Sequence, residues 1–572
     1  MTAPNHARRR PGNLARALSA APLAAALTVT ACMAEDDPPP PPEDDPPPPS
    51  ESPEPQEDVL GAQGISAAHP LAVEAGERVL SEGGNAVDAA LAAAFAVSVV
   101  EPFASGVGGG GSALIAGTEG EPAYYDYREV VAQDGQIPDS GTGVPGFVAG
   151  METMHEEHGT LDWAELLAPA EELAAEGFEV SEFLDQRMRE DFGPDAVENL
   201  DHYSPGGEPL SAGDELVQED LAETLSALRE DPSSFYTGEL ADELAEAEGI
   251  DAGSLASYEV MSTEPVSGEF GDHEVVSAAP ALPGAAVIQL LQVAESQGAG
   301  EAEPGAAEYI RAVSEAWELA EETALTELGD PFFVENPVDE LTDPEVNAQL
   351  DGTQAVPLGE GDSGGSPNTT HITAVDKDGL MVSMTNTITD FWGAGEMIGG
   401  FFLNNQLTRF EAIDSPANQP EPGRRSVSWA APSMVLDGEG RPILGIGTPG
   451  GPQIPNILAT VLIQWGLQDA ELEEALATPR FRFDSGDDLL EIEELPSGTE
   501  REALEDLGWE LEESPPEWAV FGSVQALEVD YGTGEVAGAD DPRREGAHTV
   551  VESGGADDGP QDDDVDEVPN PD

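Results

Sequence analysis

Asn368-Thr369-Thr370-His371 is the segment whose residue types offer a nucleophile that carries its own base. If the peptide bond before Thr369 is cut, the new α-amine lies within reach of the Thr369 hydroxyl. An α-amine with a pKa of about 8 can take that proton near neutrality, and the oxygen then attacks a carbonyl. The resulting acyl–threonine ester passes to water or to an amine. On its own, Thr-Thr at the head of an apolar run also satisfies plain β-propensity, so the tetrapeptide leaves both readings open. Asn368-Thr369-Thr370 is a glycosylation sequon as well.

Other common sources of catalysis are poorly served by the sequence, whose single cysteine is Cys32. One cysteine builds neither a disulfide framework nor a thiolate metal site. His155-Glu156-Glu157-His158 falls one residue short of the His-Glu-x-x-His helix spacing, so no metal is assigned to it. The glycine run Gly108 to Gly111 lacks the Lys-Ser/Thr ending and the preceding strand of a phosphate loop. It reads as a tight turn where backbones approach closely.

The elements that must position these residues follow from periodicity. Gly64 to Glu101 reads as two helices around a turn: Pro70 in a first turn, Gly83-Gly84 as the stop, and Asn85 capping Ala86 to Val100, which is apolar on most faces. Leu161 to Leu244 is mostly helical, with breaks at Pro194, Gly206-Gly207 and Asp231-Pro232, and Gly305 to Leu328 forms an amphipathic helix. His371 to Val375 and Leu380 to Thr387 flank Asp376-Lys377-Asp378-Gly379, a strong hairpin signal. Phe401 to Leu403 and Met434 to Leu436 read as further strands, and Gly445 to Gly451 as a turn before a helix around Ile454 to Gln464. The pattern is one of sheets sandwiched by helices.

Composition excludes more. The chain has 572 residues, 116 acidic against 20 basic, for a formal charge of −96, and Lys377 is its one lysine. So few cations cannot neutralise phosphates, which argues against a nucleic-acid partner. Hydrophobic residues at 39 % of this length suffice for a sizeable core. An acid-rich, lysine-poor surface spread along the whole chain is the pattern of a protein that works in concentrated salt, where counterions screen self-repulsion.

The ends carry an address. Arg8-Arg9-Arg10 and Arg16 precede a short apolar run, Ala17 to Thr28, that ends in Val29-Thr30-Ala31-Cys32. The run is short for a spanning helix and reads as a signal segment. Small residues before cysteine resemble a bacterial lipobox. Residues 1–32 are therefore expected to be a lipoprotein leader with Cys32 the lipidated residue, which places the protein outside the cytoplasm on the cell envelope. Residues 33–59 form a Pro/Asp/Glu spacer and 554–572 an acidic tail, both expected to be disordered.

Many pieces in order make the chain similar to the gamma-glutamyltransferase (gamma-glutamyl transpeptidase) family of the N-terminal nucleophile hydrolase superfamily. They are Ala67-Ala68-His69-Pro70-Leu71-Ala72, Gly83-Gly84-Asn85-Ala86-Val87-Asp88-Ala89-Ala90, the Gly108 to Gly111 run, Tyr127-Arg128-Glu129 and Gly143-Val144-Pro145-Gly146. Thr369-Thr370-His371, Asp376-Lys377-Asp378-Gly379, Leu403-Asn404-Asn405-Gln406 and Pro449-Gly450-Gly451 follow. The resemblance implies an α+β fold, a four-layer αββα sandwich. It implies self-cleavage between Asn368 and Thr369 into associated subunits, here 60–368 and 369–553. It makes Thr369 the nucleophile, oriented by Thr387, and gives the oxyanion to the Gly450 and Gly451 N–H groups. Arg128 would hold the substrate α-carboxylate with help from Ser428, and Gln406 would face its amino group. No metal or organic cofactor is implied.

Departures from the family pattern bear on the substrate. Arg409 stands where the family has an acid that binds the glutamyl ammonium, Thr389 replaces an asparagine, and Trp429 replaces the second serine of a pair. Phe410 to Arg424 is short for the lid loop of many transpeptidases. The expected activity is hydrolysis or transfer of γ-glutamyl amides such as glutathione, with hydrolysis favoured by an open site. One alternative is an acylase for dicarboxylic-acid amides, like the cephalosporin acylases, in which Arg409 takes a carboxylate. Another is a non-catalytic, surface-tethered binding lipoprotein.

Overall fold

Pro70, with φ preset by its ring, opens the Pro70–Ser81 helix, and the chain then turns through Gly83 at φ +96°. Asn85 and Asp88 form a reciprocal capping box at the start of Ala86–Val100, each side chain accepting the other's backbone N–H at 3.0 Å. Every residue of that helix is buried, as its all-round apolar sequence requires. The computed structural model describes residues 60–190, 192–350, 368–484, 487–514 and 521–552. The expected leader, Cys32, the spacer and the acidic tail lie outside the described residues.

Two antiparallel sheets carry the site. The first has seven strands in the order Ala547–Glu552, Ala62–Ala67, Thr370–Val375, Met381–Thr387, Gly110–Ala116, Ala123–Asp126 and Met261–Thr263. The second has six: Glu535–Asp540, Gln525–Asp530, Pro442–Gly447, Ser433–Leu436, His273–Ser277 and Val266–Phe270. The Asp376–Gly379 turn forms as the sequence indicates: Asp376 Oδ1 accepts the Asp378 and Leu380 N–H groups, and Gly379 takes φ +79°.

Side-chain alternation along Thr370–Val375 sorts the layers. Ile372 and Ala374 join Ala89, Phe95 and Val97 in a core between the first sheet and its helices. Val375 faces the other way, into an inter-sheet core with Leu114, Met381, Met434 and Leu527. The far side of the second sheet packs Val435, Leu444 and Ile446 against the helices Gly284–Ser296, Ala307–Thr326 and Ile454–Gln468. The result is the expected helix–sheet–sheet–helix stack.

Segments before and after residue 368 interleave. Thr370–Val375 pairs with Ala62–Ala67, Met381–Thr387 with Gly110–Ala116, and Ser433–Leu436 with His273–Ser277. Pro194 marks the expected break: the Glu182–Arg189 helix ends before it, and it opens the short Gly193–Val197 helix, where no N–H donor is needed. Two local expectations need correction. Ala62–Ala67 is a strand, so the first helix does not begin near Gly64. Gly445-Ile446-Gly447 ends a strand; only Thr448 onward forms the turn, because the two glycines admit the neighbouring sheet.

Candidate active site

Thr369 sits at the mouth of its strand, 5 % exposed. Its hydroxyl lies against the Asn368 carbonyl oxygen. Thr387, at the end of the adjacent strand, donates from Oγ1 to that oxygen at 3.2 Å and accepts the Thr389 N–H at 2.8 Å. Asn368 is anchored through Nδ2 to the carbonyls of Phe103 and Asp390. One nucleophilic oxygen, the carbonyl beside it and a donor on that carbonyl are thus brought together by two neighbouring strands.

A polar chain leads from here to a buried cation pair. Thr389 Oγ1 donates to Gln406 Oε1 at 2.5 Å, and Gln406 Nε2 donates to Ser426 Oγ at 2.8 Å. The Ser426 carbonyl accepts Arg128 Nη1 at 2.7 Å. Arg128 is 1 % exposed and grips Asp126 through Nη2 (2.7 Å) and Nε, while Arg425 Nε approaches the same carboxylate at 3.3 Å. Burial alone would raise the Asp126 pKa, but the two guanidiniums outweigh it and hold the carboxyl below its usual range. Burial likewise pulls Arg128 down, and Asp126 more than restores it. Glu129 is fully buried beside them, with neither carboxyl oxygen bonded among the described residues, and burial pushes it up to about 8. At neutral pH the two guanidiniums stand among Asp126, Asp330, whose Oδ2 accepts the Arg425 N–H at 2.9 Å, and the neutral acid Glu129, and the Arg128 fork is the group suited to an incoming carboxylate.

The loop carrying Gly450 and Gly451 follows Pro442–Gly447. Gly450 and Gly451 adopt φ of +143° and +54°, values that favour glycine. They lead into the Ile454–Gln468 helix, and among the described residues neither N–H meets an acceptor. Two free donors at a helix entrance are a ready anion site.

The gamma-glutamyltranspeptidase family model matches residues 72–551. The chain belongs to this family. It is 36 % identical to the capsule biosynthesis protein CapD proenzyme of Bacillus anthracis, over 85 % of this chain and 90 % of that protein. It is 31 % identical to a glutathione hydrolase proenzyme of Bacillus subtilis, over 84 % of this chain and 90 % of that protein. The fold matches a cephalosporin acylase crystal structure from Bacillus halodurans with a TM-score of 0.76 at 23 % identity, covering 88 % of this chain and 98 % of that one. The protein is thus an enzyme of the gamma-glutamyltransferase family, which sets aside the binding-only alternative.

Within the gamma-glutamyltransferase frame, the expected site residues are mostly assembled, with instructive exceptions. Thr369, Asn368, Thr387, Thr389 and Gln406 form one connected group. Arg128 is joined to it through Ser426. Ser428 is buried but hydrogen-bonds neither Arg128 nor Gln406; Ser426, one strand repeat earlier, does both. Arg409 is not a bare cation opposing the substrate amine: its Nη2 stands 3.5 Å from Asp390 Oδ1, and Asn405 Nδ2 holds the other Asp390 oxygen at 2.8 Å. Sequence reasoning missed Asp126, Arg425, Asp390 and Ser426. Asp126 had a signal, since an acid two residues before an arginine on a strand end lies on the same face. Asp390 had another, adjoining Thr389. His155 and His158, the ends of the His-Glu-Glu-His motif, are engaged elsewhere, with the Leu161 carbonyl and the Tyr125 hydroxyl.

Proposed function

We propose that this enzyme is a self-processing threonine amidohydrolase that cleaves γ-glutamyl-type amides through an acyl–Thr369 ester. The observation that carries the reading is the placement of the Thr369 hydroxyl against the Asn368 carbonyl, with Thr387 donating to that carbonyl oxygen. In processing, Thr369 Oγ attacks the Asn368 carbonyl carbon, the C–N bond breaks as nitrogen takes a proton, and water hydrolyses the ester. The released amine then serves as base for the same oxygen. In turnover, the substrate carbonyl takes the place of Asn368, the Gly450 and Gly451 N–H groups receive its oxyanion, and the substrate carboxylate meets the Arg128 cluster. The reading that hydrolysis outweighs transfer is supported by the shortness of the Phe410–Arg424 segment, which Asn418 pins to the Arg409 and Ile413 carbonyls.

A second reading is favoured by Arg409. An ammonium partner at that position is replaced by a cation, so an acyl group bearing a second carboxylate in place of the amine, as in glutaryl amides, fits the charge better. Cys32 lipidation and an extracytoplasmic address belong to the proposal as well, supported by the leader pattern alone.

Purified wild type and Thr369→Ala, compared on a denaturing gel with N-terminal sequencing, test the core of this. Wild type is expected to give two bands, one beginning Thr-Thr-His-Ile, and to hydrolyse a γ-glutamyl or glutaryl anilide. Thr369→Ala is expected to stay a single band without turnover. Turnover by Thr369→Ala would end the proposal.

A further inference from the structure

His371 is two residues beyond Thr369, about 7 Å along the strand and on the same face. Its ring is wholly buried between the two sheets, 0 % exposed. There it hydrogen-bonds only to hydroxyls: Nδ1 to Thr385 at 2.8 Å, and Nε2 to Thr373 at 3.2 Å and Ser383 at 3.3 Å. It touches no group of the reaction, and burial pushes its pKa down to about 3, so it stays neutral wherever the enzyme works.

What the ring meets on its far side is the strand that leads to the oxyanion loop. A Cβ at Gly447 would fall 2.1 Å from His371 Cε1 and 2.2 Å from Nδ1, so only glycine lets this strand pass over the imidazole. The same strand is tied down one residue earlier, where Ser383 Oγ donates to the Ile446 carbonyl at 3.1 Å. Gly445, next on that face, meets Thr373 Cγ2 and Met381 in the same way. Three and four residues past Gly447 come Gly450 and Gly451. The imidazole is thus a rigid spacer between the strand that starts at the nucleophile and the strand that ends at the oxyanion donors. Elsewhere the inter-sheet space is filled by flexible apolar chains such as Met381 and Met434.

We infer that His371 is a positioning residue: pressed on Gly447 and held by Thr373, Ser383 and Thr385, it sets the separation of Thr369 from the Gly450 and Gly451 N–H groups. This deepens the proposed mechanism and rests on Thr369 being the nucleophile. A spacer of this kind acts on the tetrahedral state, whose oxyanion must reach both donors, and leaves the ground-state carboxylate site at Arg128 untouched.

The test uses the full-length processed enzyme as wild type, His371→Leu, Gly447→Ala and the His371→Ala/Gly447→Ala double variant. Leucine removes the hydrogen bonds at similar bulk, the alanine at 447 pushes the strand outward, and the double variant gives the new methyl the room the ring vacates. Each is measured for kcat and KM on the anilide, and for affinity toward a boronic acid analogue of the acyl group, which adds the threonine oxygen to form a tetrahedral anion. The single variants are expected to lose 10- to 100-fold in kcat and a similar factor in boronate affinity. KM and the affinity for the free acid product are expected to stay within about twofold. The double variant is expected to recover at least tenfold over Gly447→Ala, and that recovery decides the matter should either single variant fail to fold or process. Single variants with kcat and boronate affinity within twofold of wild type would overturn the inference, as would a double variant that recovers nothing. Turnover by Thr369→Ala would instead overturn the mechanism beneath it.

Discussion

Thr387→Val replaces a hydroxyl by a methyl of the same shape, so strand geometry is kept while two interactions go. One is the 3.2 Å contact from Oγ1 to the Asn368 carbonyl, long for an O–H donor and therefore weak while that carbonyl is planar. As Thr369 attacks, the oxygen gains charge and moves toward its donor, and the contact becomes a charge-assisted bond. Loss of one such donor typically raises a barrier by ~2.7–4 kcal/mol, a factor of ~10²–10³ in rate. The other loss is the acceptor of the buried Thr389 N–H at 2.8 Å, worth roughly 1–3 kcal/mol of stability when left unpaired. The expected result is a chain that folds with a lowered melting temperature and processes at least 100-fold more slowly, followed as appearance of the two bands over time. Thr387→Ser keeps the hydroxyl and is expected to process within about tenfold of wild type. Processing of Thr387→Val within twofold of wild type would refute the assignment of this donor.

Four further outcomes are expected. Arg409→Asp, which restores an acid at that position beside Asp390, is expected to raise kcat/KM for γ-glutamyl over glutaryl anilide by at least tenfold; an unchanged ratio would show that Arg409 does not select the acyl group. Glu129 is neutral below about 8 and ionises above it, adding a negative charge beside Arg128, so KM for a carboxylate-bearing substrate is expected to rise above pH 8; in Glu129→Gln that rise is expected to vanish, and its persistence would assign it elsewhere. Because the folded pKa of Glu129 lies above the unfolded one, its contribution to stability is whole below about 4.5 and is lost as pH climbs through about 8, so the Gln variant is expected to show a flatter decline in melting temperature across that window. With 116 acidic side chains against 20 basic, the melting temperature of wild type is expected to rise between 0.1 and 2 M salt, and a flat response would remove the proposal of a salt-adapted surface.

The strand that follows Thr369 was legible because local signals coincide there. A turn with Asp and Gly at the right places lies between two β-rich runs, and Thr369 heads the first of them. The Asn85 cap and the all-apolar helix after it were legible for the same reason, since capping and periodicity act within a few residues. Ala62–Ala67 was not, because a six-residue strand rich in Ala, Gly and Ser has little intrinsic β preference and forms only through pairing with Thr370–Val375 and Ala547–Glu552. The ion pairs at the site were hidden for a related reason. Asp126 meets Arg425 from nearly three hundred residues away, and no spacing rule reaches across a sheet. In a chain so rich in acids, which carboxylate an arginine meets is a property of topology.

That last point bears on how selectivity is built. Arg128 and Arg425 share Asp126 in the interior, where an unpaired guanidinium would be strongly disfavoured, while Arg409 meets Asp390 nearer the surface and Asn405 secures the Asp390 carboxylate. Among the described residues the inner cluster leaves one Nη1 and one Nη2 proton of Arg128 uncommitted, and these are what an incoming carboxylate would take. The outer contact is long at 3.5 Å, and Asp390 Oδ1 and Arg409 Nε are themselves buried with no hydrogen-bond partner among the described residues. A substrate carboxylate would have to take Arg409 from Asp390, and an ammonium would have to take Asp390 from Arg409, so the balance rests on which member of the pair stands nearer the acyl group. On the proposed reading the inner site serves γ-glutamyl and dicarboxylic acyl groups alike, and the choice between them is expected to fall to Arg409 and Asp390, which one substitution tests without touching Thr369, Thr387, Gly450 or Gly451.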